Sequence, residues 1–179
     1  MKRLEKREFE EHCYLGLQQR SEKKGSNVRV EFLTVGCSGE SQIDLLKKFD
    51  SFTVELSDKK PIQWIAVLIK ESENDSSTGR KDLKSHLHAL WAKPFVPMNI
   101  LRELWWYHAN VHGSITNRTV KGSKSARSEM SRLVNYLVNQ EEKHNHFANV
   151  DREVKYFESE NWLAKEYPRG GQEALEIPL

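Results

Sequence analysis

Two histidines separated by one residue, His86 and His88, are the side chains of this sequence best suited to bind a metal ion. In a β-strand both imidazoles point to the same side, while Leu87 and Ala89 point to the other. Neutral imidazole is a good ligand for divalent cations of intermediate hardness. Because the same spacing occurs a second time in the chain, spacing alone is not specific, and the position of this pair on a strand is what favours a metal site.

Glu71 is the first candidate for a further ligand. The strand that ends near Glu71 turns back in a hairpin into the histidine strand, so we expect its last residue near the level of His86. Two imidazoles and one carboxylate suit Mn²⁺ or Mg²⁺ better than a closed structural zinc site. The alternative is an exposed acid at a strand end, because sequence does not reveal the hairpin register.

Tyr136 is the candidate nucleophile. It lies in a segment of helical periodicity, one turn after Arg132 and one turn before Gln140. A tyrosine hydroxyl has a pKa of about 10 and attacks poorly in water, but it can attack a phosphate from which a divalent cation withdraws charge. The alternative for a single helical tyrosine is an aromatic side chain at the edge of the core.

A basic stretch leads directly to this tyrosine. It contains one acidic residue, Glu129, and several serines. A site that acts on nucleic-acid phosphates needs such a surface, whereas the alternative is a solvated loop followed by a helix start. The candidate nucleic-acid-binding residues of this stretch are Arg118, Lys121, Lys124, Arg127 and Arg132.

The elements that must position these residues follow from hydrophobic patterning. A continuous apolar strand at 62–69 requires cover on both faces. The tail contains one more helical segment around Tyr156, Trp162 and Leu163. The remaining predicted strands are 28–35, 86–92 and 111–116, and the predicted helices cover 5–24, the region of 41–49, the region of 100–107, and 125–140.

From Val28 the predicted order is strand, helix, strand, strand, helix, strand and then an extra helix. This is the split βαβ order of ferredoxin-like and RRM-like α+β proteins, in which the first and third strands are central. We therefore expect an antiparallel sheet with helices on one face and with His86 and His88 on a central strand. The extra C-terminal helix, which carries Tyr136, is expected across or beside the open face.

Three segments in this order resemble the motifs of the HUH endonuclease superfamily. The resemblance covers about residues 28 to 146, and the split βαβ order is the fold of that superfamily. The resembling segments are Phe32, Leu33 and Thr34 for the first motif, His86, Leu87, His88, Ala89 and Leu90 for the histidine motif, and Tyr136, Leu137, Val138 and Asn139 for the tyrosine motif.

The resemblance implies a metal-dependent endonuclease that nicks and joins single-stranded DNA, as a rolling-circle replication initiator of a plasmid or virus does. In such enzymes the tyrosine attacks a phosphodiester, becomes linked to the 5′ phosphate and releases a 3′ hydroxyl. Tyr136 would then be the catalytic residue, and His86 and His88 would bind Mn²⁺ or Mg²⁺. The partner would be single-stranded DNA at an origin or element end. A chain of 179 residues has no room for a helicase as well, so a host helicase and polymerase would be further partners.

One position departs from the initiator pattern. Initiators usually carry a lysine three residues after the tyrosine, where this chain has Asn139, so the charge would have to come from Arg132 or Lys143. The segment also resembles the tyrosine helix of single-tyrosine HUH transposases, in which a glutamine four residues after the tyrosine is the third metal ligand. Gln140 then competes with Glu71 for that role, and a transposase is the second interpretation.

A non-catalytic ferredoxin-like module that binds nucleic acid is the third interpretation. Modules of the RNA-recognition type carry aromatic side chains on the first and third strands, where this third strand has histidines and only Trp91 near its end. Trp105, Trp106 and Tyr107 could stack on bases, or could instead fill the core beneath the second helix.

Length and composition limit the class of protein. The chain has 179 residues, 37% hydrophobic, with a net charge of +2, which is typical of one soluble domain. The apolar run at 64–69 is far shorter than the about 20 residues of a membrane span, and the charged start is unlike a signal peptide, so we expect cytoplasmic localisation and no membrane partner. We expect an N-terminal helical segment at 1–27, the nicking domain at 28–150 and a C-terminal helical tail at 151–179.

Overall fold

A six-stranded antiparallel sheet lies at the centre of an α+β fold. The computed structural model describes residues 1–21, 29–38, 42–57, 62–74, 81–93, 95–109, 113–119, 126–140 and 150–163. The strands in these ranges are β1 (Lys2–Leu4), β2 (Arg29–Ser38), β3 (Gln63–Asn74), β4 (Lys81–Lys93), β5 (Gly113–Thr119) and β6 (Val150–Glu158). The helices are α1 (Lys6–Ser21), α2 (Gln42–Leu56), α3 (Met98–Ala109) and α4 (Ala126–Val138).

The strand order across the sheet is β1-β6-β3-β4-β2-β5, and every neighbouring pair is antiparallel. Within it, β3-β4-β2-β5 has the order of the ferredoxin-like arrangement, with β2 and β4 adjacent at its centre. The predictions of an antiparallel α+β sheet and of a central histidine strand are therefore confirmed. The additional strands β6 and β1 extend the sheet beyond β3.

One face of the sheet packs against α2 and α3. Leu87, Ala89 and Trp91 of β4 point into this layer, as the alternation of the sequence predicts. Phe52 of α2 stacks on Trp91 at 6.1 Å, and Trp105 of α3 meets the edge of Phe52 at 5.5 Å. This aromatic core fixes β4, and with it the direction in which the two histidines point.

The other face is covered by α1 and α4, where only the extra helix that carries Tyr136 was predicted. Phe9, Cys13 and Leu17 recur at intervals of four residues on α1 and form one buried stripe. The apolar stripe of α4 joins them over Ile65, Val67 and Ile69 of β3. Because β3 is apolar on both of its faces, burial requires a helical layer on each side.

The predicted helix around Tyr156 is also wrong, since that segment forms β6. Arg152, Val154 and Tyr156 alternate along it, and β6 pairs with β3 from Glu73↔Val150 to Ile65↔Glu158. β1 pairs in turn with β6, so the two predicted appendages contribute to the same sheet. Among the described residues, none of the helices has the length and apolar character needed to cross a membrane.

Candidate active site

His86 and His88 stand next to each other on the side of β4 that faces α1 and α4. Their ring centroids are 5.0 Å apart with an interplanar angle of 72°. In the register, His88 lies opposite Thr34 on β2 and Val67 on β3, whereas His86 lies opposite Gly36 and Ile69. The imidazoles therefore point to one side, as predicted, with His88 buried and His86 partly exposed.

The imidazole of His88 is held by three neighbours. The Thr34 hydroxyl lies 2.8 Å from Nδ1, and the Tyr136 hydroxyl lies 3.2 Å from Nε2. Phe32 stacks on the ring at 5.7 Å and 23°. When Nδ1 carries the proton and donates to Thr34, Nε2 accepts a hydrogen bond from the Tyr136 hydroxyl. These contacts orient the nitrogen of a histidine toward the oxygen of a tyrosine.

Tyr136 is placed by the amphipathic pattern of α4. Leu133, Val134 and Leu137 are buried against the sheet, so Tyr136 lies at the border of this stripe and keeps 37% of its surface exposed. Its ring meets the edge of Phe32 at 5.9 Å and lies 5.2 Å from the ring of His88. A phenol that is exposed and also hydrogen-bonded to an imidazole is accessible to a substrate in solution.

Glu71 and Gln140, the two candidates for a third metal ligand, both contact Arg152. The sequence did not indicate a role for Arg152. Glu71 pairs with Arg152 across β3 and β6, and Nη2 of Arg152 lies 3.1 Å from its Oε1. Nη1 donates to the main-chain carbonyl of Gln140 at 2.6 Å, and Nη2 donates to the Gln140 side-chain oxygen at 3.2 Å. The Gln140 amide donates in turn to the main-chain carbonyl of Tyr136. The period-two alternation of β6 was the one sequence signal that could have placed Arg152 on this face.

Burial lowers the pKa of the Arg152 guanidinium below its ordinary value, and the neighbouring Glu71 carboxylate and Tyr136 act in the opposite direction. A guanidinium remains protonated at neutral pH even when its pKa falls. Arg152 therefore places a positive charge near the end of α4, and this charge compensates the carboxylate of Glu71.

The paired imidazoles fit a divalent cation that keeps solvent or substrate oxygens in its other positions. Thr34 supplies the outer hydrogen bond that usually orients a ligating histidine. In the part of the chain that the structure describes, no group of three or more His, Cys, Asp and Glu side chains is arranged to hold a metal. Glu71 is therefore not grouped with the two histidines, and it contacts Arg152.

The basic residues are only partly covered by the structure. Arg118 on β5 is exposed, and its guanidinium lies over Phe32 at 5.1 Å from the ring centroid. Arg132 is exposed on α4, one turn before Tyr136, and Arg127 lies near the start of that helix. Lys121, Lys124 and Lys143 fall outside the described residues. Two of the predicted cations are thus solvent-accessible, Arg118 on β5 and Arg132 on the helix that carries Tyr136.

The edge strand β5 adds a polar strip that the sequence did not reveal. Ser114, Thr116 and Arg118 are exposed and face the same side as the histidines. Gly36 of β2 lies between Ser114 and His86, and a Cβ at this position would be 3.1 Å from the Ser114 Oγ and 3.6 Å from the His86 Cβ. Gly36 therefore gives both side chains room, and it does not end β2 as a strand-breaking glycine would.

The aromatic run on α3 lies in the opposite layer of the molecule. Trp105 is fully buried in that core, which agrees with the prediction that these rings fill the core rather than stack on bases. Trp106 and Tyr107 are exposed. The indole nitrogen of Trp106 donates to the main-chain carbonyl of Gly113 at 3.2 Å. These rings are on the helical layer that faces away from Tyr136.

Comparisons of the chain with models of protein families, with curated proteins and with solved structures found no match. The arrangement of side chains around Tyr136 is therefore the basis for a functional assignment.

Proposed function

We propose that this protein is a metal-dependent endonuclease that nicks single-stranded DNA through Tyr136, and that it acts as a rolling-circle replication initiator of the HUH type. The observation that carries the proposal is the 3.2 Å contact between the Tyr136 hydroxyl and Nε2 of His88, with His86 beside it. These residues come from segments far apart in the chain, and they meet where Tyr136 and His86 reach solvent.

The reaction is a phosphoryl transfer to the tyrosine. The Tyr136 oxygen attacks the phosphorus, a new O–P bond forms, and the bond from phosphorus to the 3′ oxygen breaks. The phenolic proton leaves Tyr136 to solvent, because the lone pair on Nε2 of His88 would be used by the cation, and a proton ends on the released 3′ oxygen. A cation bound by the two histidines would supply positive charge to the scissile phosphate.

The charge and polarity around the site fit a nucleic-acid backbone. Arg132 is exposed one turn before Tyr136, Arg118 is exposed and lies over Phe32, and guanidinium groups pair well with phosphate oxygens. The hydroxyls of Ser114 and Thr116 can donate further hydrogen bonds to phosphate along β5. Single-stranded DNA is therefore the substrate class that we assign to this surface.

The environments of Glu71 and Gln140 favour an initiator over a transposase. Gln140 is 1% exposed, its amide donates to the carbonyl of Tyr136, and its side-chain oxygen accepts from Arg152. The Gln140 side chain therefore caps the end of α4. Binding a metal ion through this side chain would break these hydrogen bonds. The Glu71 side chain is 23% exposed and contacts Arg152 through Oε1. Glu71 is the better candidate for a third ligand because solvent reaches it.

The test is formation of a covalent protein–DNA adduct. The protein is incubated with Mn²⁺ and a pool of single-stranded oligonucleotides, and products are separated on denaturing gels and weighed by intact mass spectrometry. We expect an adduct that requires metal and is absent from the Tyr136→Phe variant. Tyr14→Phe is the matched control, since Tyr14 is a helical tyrosine of nearly equal exposure, 38% against 37%.

An adduct that persists in Tyr136→Phe would contradict the assigned nucleophile. Strong binding of the pool without any adduct, in wild type and variants alike, would favour the non-catalytic nucleic-acid-binding module. An adduct that forms with double-stranded transposon-like ends only after strand separation would leave the chemistry intact and favour the transposase.

A further inference from the structure

Three side chains donate hydrogen bonds to main-chain carbonyls at the end of α4. The Gln140 amide donates to the Tyr136 carbonyl, the Tyr156 hydroxyl donates to the Val138 carbonyl at 3.0 Å, and Arg152 donates to the Gln140 carbonyl at 2.6 Å. The last carbonyls of a helix have no partner within the helix, so outside donors are needed when that end is buried. Two of these three donors, Tyr156 and Arg152, are on β6.

Arg152 differs from the other two side chains because it also contacts β3, the strand next to β6. The same guanidinium contacts Glu71 on β3, so it joins the end of α4 to two adjacent strands. The fork of donors in arginine suits such a task, since it can bind several oxygens in a fixed geometry. Its cationic charge is also favourable near a helix C-terminus.

Tyr136 lies in the last turn of α4, directly before the fastened end. Its partner His88 is fixed separately, on β4, by Thr34 and Phe32. The distance between the tyrosine oxygen and the imidazole nitrogen therefore depends on how the end of α4 is docked onto β3 and β6.

We propose that Arg152 is a positioning residue of the Tyr136 site, which holds the tyrosine against His88 by tying the end of α4 to Glu71. Its side chain is only 8% exposed, so it acts through Gln140 and Glu71 and not by direct contact with DNA. The consequence for DNA cleavage rests on the proposed function, whereas the consequence for the geometry does not.

The experiment compares Arg152→Met, Arg152→Lys and the control Lys155→Met with the wild type. Lys155 is a cation of the same strand that points to the other face and pairs with Glu153. For each protein we would measure the NOE between the rings of Tyr136 and His88, the rate of adduct formation at saturating Mn²⁺, and the midpoint of thermal unfolding.

In Arg152→Met we expect loss of the NOE and a fall of about 10- to 100-fold in adduct rate, because a misplacement of about 1 Å has such an effect on a reacting group. Arg152→Lys retains the positive charge but lacks the fixed set of guanidinium donors, so its rate of adduct formation should stay close to that of Arg152→Met. Lys155→Met should match the wild type in both measurements. If Arg152→Met does not fold, Arg152→Lys, which keeps the stem and the charge, provides the same test.

A folded Arg152→Met with the NOE retained and a rate within twofold of wild type would overturn the proposal. If Arg152 only stabilises the fold, Arg152→Met should lower the unfolding midpoint and leave the NOE and the adduct rate unchanged at temperatures well below that midpoint. This result would also overturn the proposal. If the wild type forms no adduct but the NOE is lost in Arg152→Met, the proposed function fails and the positioning role of Arg152 stands.

Discussion

The hydroxyl of Tyr136 on α4 lies 3.2 Å from Nε2 of His88 on the central strand β4. Nδ1 of the same imidazole is held by Thr34 on the neighbouring strand. The candidate nucleophile and one of the two candidate metal ligands are thus brought together from two layers of the fold. The orientation of His88 is the structural condition on which this contact depends.

Thr34→Val should weaken the site without disturbing the sheet. Valine has nearly the shape of threonine, but it removes the oxygen that lies 2.8 Å from Nδ1. Loss of an outer hydrogen bond to a ligating histidine typically costs about 10- to 100-fold in metal affinity or activity. We expect a loss of this size in Mn²⁺ affinity, measured by electron paramagnetic resonance of the free ion, and in adduct rate.

Thr116→Val is the control for that experiment. Thr116 lies opposite Thr34 in the register of β2 and β5 and is exposed. The same chemical change there leaves His88 untouched, so Mn²⁺ affinity should remain at the wild-type value. Equal effects of the two substitutions would show that the Thr34 hydroxyl does not orient the imidazole.

Gly36→Val should displace His86. A Cβ at Gly36 would be 3.1 Å from the Ser114 Oγ and 3.6 Å from the His86 Cβ, and valine adds two methyl groups beyond that atom. We expect Mn²⁺ affinity and adduct rate to fall by at least about tenfold, in keeping with overpacking of a close contact. The double variant with Ser114→Gly should recover part of the loss, because the nearest atom is then gone. Unchanged Mn²⁺ binding in Gly36→Val would contradict this account.

Arg118→Gln and Arg132→Gln should each reduce the salt dependence of DNA binding. One phosphate contact on single-stranded DNA contributes about 0.7 to the slope of log affinity against log salt concentration. Fluorescence anisotropy with a labelled oligonucleotide between low and moderate salt gives this slope for each variant. Arg102→Gln, an exposed arginine of α3 in the opposite layer, should leave it unchanged. If Arg102→Gln changes the slope and Arg118→Gln and Arg132→Gln do not, the DNA binds to the opposite face of the molecule.

Cys13 should make stability depend on pH in the alkaline range. Burial raises the pKa of the Cys13 thiol well above its ordinary value of 9.0. As pH rises past 9.0, the unfolded chain releases the thiol proton of Cys13 and the folded chain does not. The contribution of Cys13 to the free energy of unfolding is therefore complete at pH values below 9.0 and is lost as pH rises above 9.0. The free energy of unfolding should therefore fall with pH by up to about 1.4 kcal/mol per pH unit from this group.

The measurement for Cys13 is guanidinium unfolding at several pH values between 7 and 10, in wild type and in Cys13→Ala. The alanine variant is less stable at every pH because it leaves a small cavity, but it should lack this part of the alkaline slope. Parallel curves for the two proteins would show that the thiol ionises equally in both states.

Much of the sheet follows from local patterning. The alternation of His86, Leu87, His88 and Ala89 predicts which side chains share a face, because neighbouring side chains in a strand point to opposite sides. The structure agrees, with Leu87 and Ala89 in the core and the imidazoles together. The helical spacing of α4 likewise placed Tyr136 at the edge of a buried stripe.

The errors of the sequence predictions concern contacts between distant segments. The tail was predicted as a helix because Tyr156, Trp162 and Leu163 have a spacing compatible with one, and the presence of β3 as a partner strand decided otherwise. The position of α1 in the second helical layer was missed for a related reason. A stripe on α1 shows that the helix must bury one face, but not which surface covers it.

By itself the sequence determined the order of strands and helices from β2 to α4, the faces of β4 and the residue types of the site, since these follow from periodicity within one segment. The tertiary structure alone decided the register that sets Gly36 beside His86, the contact of Tyr136 with His88, and the place of Arg152 between Glu71 and Gln140. Such pairings join residues up to dozens of positions apart, and they depend on how whole elements dock, which no local pattern encodes.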